Sequence, residues 1–137
     1  MITLAVFGAN GRMGARIVEL ARSDKRFTVA ARYDVDLTPE NKPAFPVLID
    51  FSSDAGAHRA LELAVNQSAA LIVGTTALTP ETRRALESAA KKIPVLIAPN
   101  MSLGVAVLNH LLAEAARLLG SGYDIDLIES HHTQKKD

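Results

Sequence analysis

The stretch Val6-Phe7-Gly8-Ala9-Asn10-Gly11-Arg12-Met13-Gly14 constrains this chain more than any other. The apolar run from Ile2 to Phe7 reads as a buried strand. Three glycines follow at a spacing of three, and an amphipathic segment from Arg12 to Ala21 comes next. Strand, glycine turn and helix in that order are the context of a dinucleotide-binding loop. Glycine lets the backbone turn tightly and approach a pyrophosphate, while the free N–H groups that open the helix face the anion. The spacing here is GxxGxxG rather than the more usual GxGxxG, and a glycine-rich turn of this kind also forms without a ligand.

The rest of the chain suits a single α/β domain. Hydrophobic residues make up 48% of the sequence and aromatics 4%, so Ala, Val, Leu and Ile must carry the core, as in a parallel sheet buried on both faces. Formal net charge is zero, which argues against nucleic acid or an anionic membrane as a partner. There is no cysteine, which excludes disulfides, thiol catalysis and zinc–thiolate sites. No leader pattern and no apolar run of the ~20 residues that span a membrane is expected, so the chain reads as soluble and cytoplasmic.

Periodicity places the elements. A helix over 12–22 carries Met13, Ile17, Val18 and Ala21 on one face, and a second strand runs from Phe27 to Tyr33. Asp34 follows about twenty residues past the last glycine, where a carboxylate accepts hydrogen bonds from the adenosine ribose. Arg32 beside it suits a 2′-phosphate, which leaves NAD and NADP both open; two surface carboxylates, Asp34 and Asp36, are the simpler account. Residues 37–46 contain three prolines and no helical period. The expected fold is therefore a Rossmann-like doubly wound parallel sheet, abbreviated after its second strand, with the third strand (47–51) beside the first on the side away from the second. Ser52-Ser53-Asp54 caps a helix with Ala57, Ala60, Leu61, Ala64 and Val65 on its inner face, and His58 lies off that stripe. A fourth strand (69–73), a helix opened by Thr79-Pro80, a fifth strand (94–98), a long apolar helix (103–119, with His110 on its surface) and a sixth strand (123–129) complete the reading. A helix apolar on nearly every side is expected to be covered by a second domain or another subunit, and otherwise to favour self-association.

Polar clusters fall at successive strand ends. In a parallel sheet these ends share the edge that carries the ligand crevice. Gly74 and Ala98 are small enough to leave room for a flat ring. Thr75, Thr76 and Asn100 offer bonds to a carboxamide or carboxylate, and Met101 can pack on a ring face. The tail His131-His132-x-x-Lys135 gathers two imidazoles and an ammonium, groups that donate a proton near neutral pH and hold an anion; read on spacing alone it is equally a polar tail.

Taken together, the glycine run, Asp50-Phe51-Ser52, Gly74-Thr75-Thr76, Ala98-Pro99-Asn100-Met101-Ser102-Leu103-Gly104-Val105 and Glu129-x-His131-His132-x-x-Lys135-x-Asp137 resemble the 4-hydroxy-tetrahydrodipicolinate reductases. These are NAD(P)H-dependent enzymes of diaminopimelate and lysine biosynthesis. The resemblance implies that Gly8, Ala9, Asn10, Gly11, Arg12 and Met13 cradle the cofactor pyrophosphate, with Asp34 on the adenosine ribose. It implies that Gly74, Thr75, Thr76, Ala98, Pro99, Asn100 and Met101 line the nicotinamide end. His131 takes the proton-donor position with Lys135 as its catalytic partner, and His132 and Thr76 contact a cyclic dicarboxylate. The cofactor is NADH or NADPH, no metal is implied, and the family forms homotetramers. Residues 1–130 are expected to form the dinucleotide-binding domain and 131–137 the opening of a substrate domain. The family's following Ala-Pro-Ser-Gly-Thr and the remainder of that domain are absent, so the chain alone is expected to bind NAD(P)H weakly and not to turn over. Two other readings are a different nicotinamide reductase, such as an aspartate or homoserine dehydrogenase, against which the His-His-x-x-Lys tail argues, and a nucleotide-binding or redox-sensing module without catalysis.

Overall fold

A computed structural model describes residues 1–41, 43–128 and 130. Its elements are β1 (Ile2–Phe7), α1 (Arg12–Ser23), β2 (Phe27–Tyr33), β3 (Val47–Asp50), α2 (Asp54–Asn66), β4 (Ala70–Val73), α3 (Pro80–Ala89), β5 (Val95–Ile97), α4 (Leu103–Leu119) and a 3-10 turn at Gly120–Gly122. The chain divides into two units, Met1–Pro99 and Asn100–Asp137.

The first unit is an all-parallel sheet in the order β2-β1-β3-β4-β5. β3 lies beside β1 on the side away from β2, as the missing helix after β2 requires. Alternate residues feed two cores. Ala5, Phe7, Leu48, Leu71 and Val73 point to the side covered by α2 and α3, where Ala57, Ala60, Leu61, Ala64 and Leu86 meet them. Leu4 and Val6 point the other way, onto Val18 and Ala21 of α1. The two-sided burial explains the near-continuous apolar strands. On α1 the inner face is Gly14, Val18 and Ala21 with Ile17 half-buried, whereas Met13, expected on that face, is 52% exposed. Gly14 takes the contact that Met13 would have made, because the helix start lies too close to the β1 tip for a long side chain.

After β2, the described residues of the connection form no helix and cover part of the sheet themselves. Phe45 is buried in the α2-side core, and Gln67, just past α2, holds the segment by accepting from Phe45 N–H and donating to the Pro43 carbonyl. Tyr33 links this segment to the sheet, stacking on Phe7 and meeting Phe45 edge-on.

One irregularity matters for the site. The β1–β2 register is Leu4↔Val29, then Ala5↔Ala31, so Ala30 is an extra residue in β2. A bulge inverts the faces of everything after it. Phe27 and Val29 therefore face α1, while Ala31 and Tyr33 face α2. Arg32, paired with Val6, is returned to the α1 side.

In the second unit, α4 is capped by Ser102, whose side chain accepts from Val105 N–H, and ends at Gly120 with φ +66°. No residue of α4 is buried. Within Leu103–Gly122 an 18-residue window has a mean hydropathy of 1.3, so this stretch is long and apolar enough to cross a membrane by length and composition, which the sequence reading did not anticipate. It nonetheless carries the Glu114–Arg117 ion pair, with Asn109 and His110 one turn earlier, groups that hydrocarbon disfavours. The expected sixth strand does not form over 124–128, and Glu129 lies outside the described residues. A strand persists only where a neighbour pairs its backbone, and among the described residues this segment has none.

Leu48, fully buried in the central strand, tests the sheet's core. Leu48→Ala should cost about 2–5 kcal/mol through lost transfer energy and a residual cavity. Urea unfolding measures it, and a loss below about 1 kcal/mol would contradict this packing.

Candidate functional site

The carboxyl tips of β1 and β3 lie side by side in a sheet whose order reverses there. This is the position where open α/β sheets seat their ligands. At the β1 tip, Gly8 has φ +76°, and a Cβ there would lie 2.2 Å from the Phe51 carbonyl oxygen. Gly14 sits against the same turn, since a Cβ on it would fall 2.0 Å from the Gly8 carbonyl oxygen. The Tyr33 carbonyl accepts from both Gly8 and Ala9 N–H at 2.9 and 3.0 Å, and Gly11 N–H returns to the Gly8 carbonyl at 3.0 Å. The turn is thus fixed by its own bonds before any ligand arrives.

The helix that follows is left open. α1 has Gly11 as its N-cap, with no side-chain cap and no acidic residue in its first turn. The other three helices satisfy their starts internally, through the Ser53, Thr79 and Ser102 hydroxyls. The first-turn N–H groups of α1, at Arg12, Met13 and Gly14, have no carbonyl of their own helix to meet. Asn10, Gly11, Arg12 and Met13 are exposed around them, while Gly8 and Ala9 are buried beneath. The arrangement fits a pyrophosphate: backbone donors, the positive end of a helix dipole and no side chain in the way.

Asp34 closes the turn from the β2 side. Its Oδ2 accepts Asn10 N–H at 2.7 Å and its Oδ1 accepts Val35 N–H at 2.8 Å. Arg32 donates through Nη2 to Asn10 Oδ1 at 3.1 Å. The acid and the glycine turn, twenty-four residues apart in sequence at Asn10 and Asp34, are thus in direct contact.

At the β3 and β4 tips the structure holds a group to which the sequence reading gave no role. Asp50 is fully buried. Ser52 Oγ donates to its Oδ1 at 2.5 Å and Thr75 Oγ1 to its Oδ2 at 2.6 Å, while Thr75 Oγ1 also accepts Ser52 N–H at 2.8 Å. Burial pushes the Asp50 carboxyl above the ordinary carboxylate value, and the two hydroxyl bonds oppose that rise. Thr75 is accordingly 5% exposed with its hydroxyl committed inward, and Thr76 is the exposed member of the pair. Gly74 offers no vacant slot for a flat ring: a Cβ on it would fall 2.2 Å from Phe51 Cζ, so the ring already against its backbone is that of Phe51. The sequence signal for this clamp was an acid ending an otherwise apolar strand, Val47-Leu48-Ile49-Asp50, followed at once by an aromatic.

Ala98 is half-buried at the β5 tip, where its N–H reaches the Val73 carbonyl at 2.9 Å, and Pro99 is exposed beside it. In the second unit Asn100 Oδ1 accepts Ser102 N–H at 2.9 Å, and Met101 is 51% exposed. His131, His132 and Lys135 lie outside the described residues. His58 and His110 are exposed on helix surfaces.

Fold and edge geometry together define a Rossmann-like α/β domain with an open helix N-terminus at its crevice. Residues 2–101 match the family model described as dihydrodipicolinate reductase, N-terminus, and residues 104–137 match the dihydrodipicolinate reductase, C-terminus model. The chain belongs to the dihydrodipicolinate reductase family, whose N-terminal domain binds NAD(P)H. It is 39% identical over 138 residues to a 4-hydroxy-tetrahydrodipicolinate reductase of Campylobacter jejuni, covering 100% of this chain and 57% of that one. It is 40% identical over 152 residues to the Stenotrophomonas maltophilia enzyme of the same name, covering 99% and 63%. The chain thus spans less than two thirds of these relatives. Its fold resembles that of the dipicolinate-bound dihydrodipicolinate reductase from Paenisporosarcina sp. TG-14, with a TM-score of 0.65 at 20% identity over 85% of this chain and 54% of that one.

The Asp50 clamp makes a pH-dependent prediction. Its folded-state pKa is raised, so the folded chain holds this proton more tightly than the unfolded chain. The group's contribution is full below the unfolded carboxylate value and is lost as pH rises through the raised one. Asp50→Asn removes the titration. The stability advantage of the native chain over Asp50→Asn should therefore shrink as pH rises above the ordinary carboxylate value of about 4, read from urea midpoints. A gap that stays level or widens would show that burial does not dominate at this site.

Proposed function

We propose that this chain supplies the cofactor half of an enzyme that reduces 4-hydroxy-tetrahydrodipicolinate to tetrahydrodipicolinate with NADH or NADPH, in the cytoplasmic route to diaminopimelate and lysine. The observation that carries this reading is the open N-terminus of α1, set at the β1/β3 crevice with no side chain to cap it. When bound, the reduced nicotinamide supplies a hydride; the chain's task is to hold, orient and protonate.

In this reading the 8–13 turn holds the pyrophosphate through backbone N–H groups, and Asp34 stands by the adenosine ribose. Gly74, Thr75, Thr76, Ala98, Pro99, Asn100 and Met101 bound the nicotinamide end. Thr75 acts there through its backbone, because its hydroxyl is held by Asp50, and the exposed Thr76 hydroxyl is the one available to a substrate carboxylate. His131 delivers the proton, as an imidazole can near neutral pH, with Lys135 as its catalytic partner. His132 contributes a cationic contact to a dicarboxylate. The substrate site needs residues beyond these 137, as the relatives' greater length suggests. The full-length protein is a homo-oligomer in this reading.

Calorimetry with NADH and NADPH tests the first step: the 137-residue chain should bind at least one of them, without turnover of the cyclic substrate. Gly8→Val should weaken binding at least about tenfold, since its side chain would enter the Phe51 backbone. In the full-length protein, His131→Gln should lower turnover by about 10²–10⁴-fold and leave dinucleotide affinity unchanged. A nucleotide-sensing module would lose neither property, and that result would overturn the catalytic reading.

A further inference from the structure

The turn between β4 and α3, residues 74–79, is tied at both ends to the turn between β3 and α2. At its near end Gly74 N–H donates to the Asp50 carbonyl at 2.8 Å, and Thr75 Oγ1 donates to Asp50 Oδ2 at 2.6 Å. At its far end the anchor is Asp54, whose Oδ1 accepts Thr79 N–H at 2.8 Å and whose Oδ2 accepts the Thr79 hydroxyl at 3.2 Å. The Thr79 N–H bond draws the Asp54 carboxyl below its ordinary value, so this anchor is an anion at neutral pH. Between the anchors lies Ala77, with φ +53°. A residue with a Cβ enters this left-handed region at a cost and stays only where its surroundings hold it there. The exposed Thr76 comes immediately before it. Released from its anchor, an alanine returns to an ordinary backbone region, and that rotation turns the peptide that joins it to Thr76.

We propose that Asp54 is a positioning residue for Thr76: by holding Thr79 it keeps Ala77 in the strained turn, and the strained turn presents the Thr76 hydroxyl to a substrate carboxylate. This rests on the functional reading above, in which Thr76 contacts the cyclic dicarboxylate, and deepens it. Asp54 touches neither substrate nor dinucleotide in this account. Its carboxylate and the strain at Ala77 act against each other, and the direction of Thr76 is what their balance sets.

The test uses the full-length protein, with reduction of the cyclic substrate and calorimetric affinity for the dinucleotide read side by side. Asp54→Ala should raise the substrate KM about tenfold and leave dinucleotide affinity within about twofold. Asp54→Asn keeps an acceptor for Thr79 N–H and should stay within about threefold of the native KM. Glycine adopts positive φ freely, so adding Ala77→Gly should restore most of the KM lost in Asp54→Ala. In a Thr76→Val background Asp54→Ala should add less than about twofold, because the hydroxyl it positions is gone. A carboxylate that merely ties two helix starts together would show neither the glycine rescue nor the dependence on Thr76. Should Asp54→Ala fail to fold, Ala77→Val takes its place: a β-branched residue is driven from the left-handed region and should raise KM in the same way. An unchanged KM, an equal loss of dinucleotide affinity, no rescue by glycine, or a full further loss in the Thr76→Val background would overturn the assignment while leaving the functional reading intact. A full-length protein that does not reduce the cyclic substrate would overturn both.

Discussion

A carboxylate buried at the end of a strand governs the edge on which this molecule's chemistry depends. Taking Asp50 out of water is costly, and the cost is tolerable only because two hydroxyls, those of Ser52 and Thr75, donate to it. The bonds that stabilise the carboxylate also locate the turn after β3 relative to the turn after β4. Phe51, the residue between Asp50 and Ser52, then lies between two glycines: its carbonyl closes on Gly8 and its ring on Gly74. Three strand tips are locked to one another with no spare volume. Close contact of this kind suits a site that must orient a ligand closely.

The same economy shows in how the helices begin. α2, α3 and α4 satisfy their starts from within, with serine or threonine oxygens. α1 begins at a glycine with nothing to offer its exposed N–H groups, and its first residue is the cation Arg12. A cation at the positive end of a helix dipole is unfavourable for an isolated helix. It becomes favourable when an anion arrives. The local electrostatics of α1 therefore run against its own stability and in favour of a bound phosphate, a conflict that ordinary helix chemistry could have removed with one side-chain cap.

Much of this was legible in the sequence, for reasons that differ by element. β2 reads correctly over Phe27–Tyr33 because Phe27-Thr28-Val29 favours a strand and Asp34 follows its end, while the prolines after it disfavour a helix there. The Ser53 and Thr79 caps are local chemistry and show in local sequence. Contacts between distant strand tips do not show. Gly74 looks the same whether its missing side chain makes room for a ligand or for Phe51, and the answer lies twenty-three residues upstream. Met13 has the right spacing for the inner face of α1, but the closeness of Gly14 to the Gly8 carbonyl decides what that face can hold. The alternation after Tyr123 suggests a strand, yet alternation supplies no pairing partner.

The bulge in β2 shows how a fault in one element serves another. Strand alternation alone would send Arg32 and Asp34 away from the glycine turn, because a strand that keeps register keeps its faces. One extra residue, Ala30, costs a break in the ladder and reverses every face beyond it. Phe27 and Val29 still pack under α1, while Tyr33 swings into the opposite core and stacks on Phe7. With its ring held there, the Tyr33 carbonyl is in place to accept the two N–H groups of Gly8 and Ala9. Core packing on one side of the sheet and the anchoring of the glycine turn on the other are thus the two consequences of a single inserted residue. The polar pair that meets the turn, Arg32 and Asp34, gets its direction from the same insertion, so deleting that residue would turn the pair away and unseat Ala31 and Tyr33 from the core together.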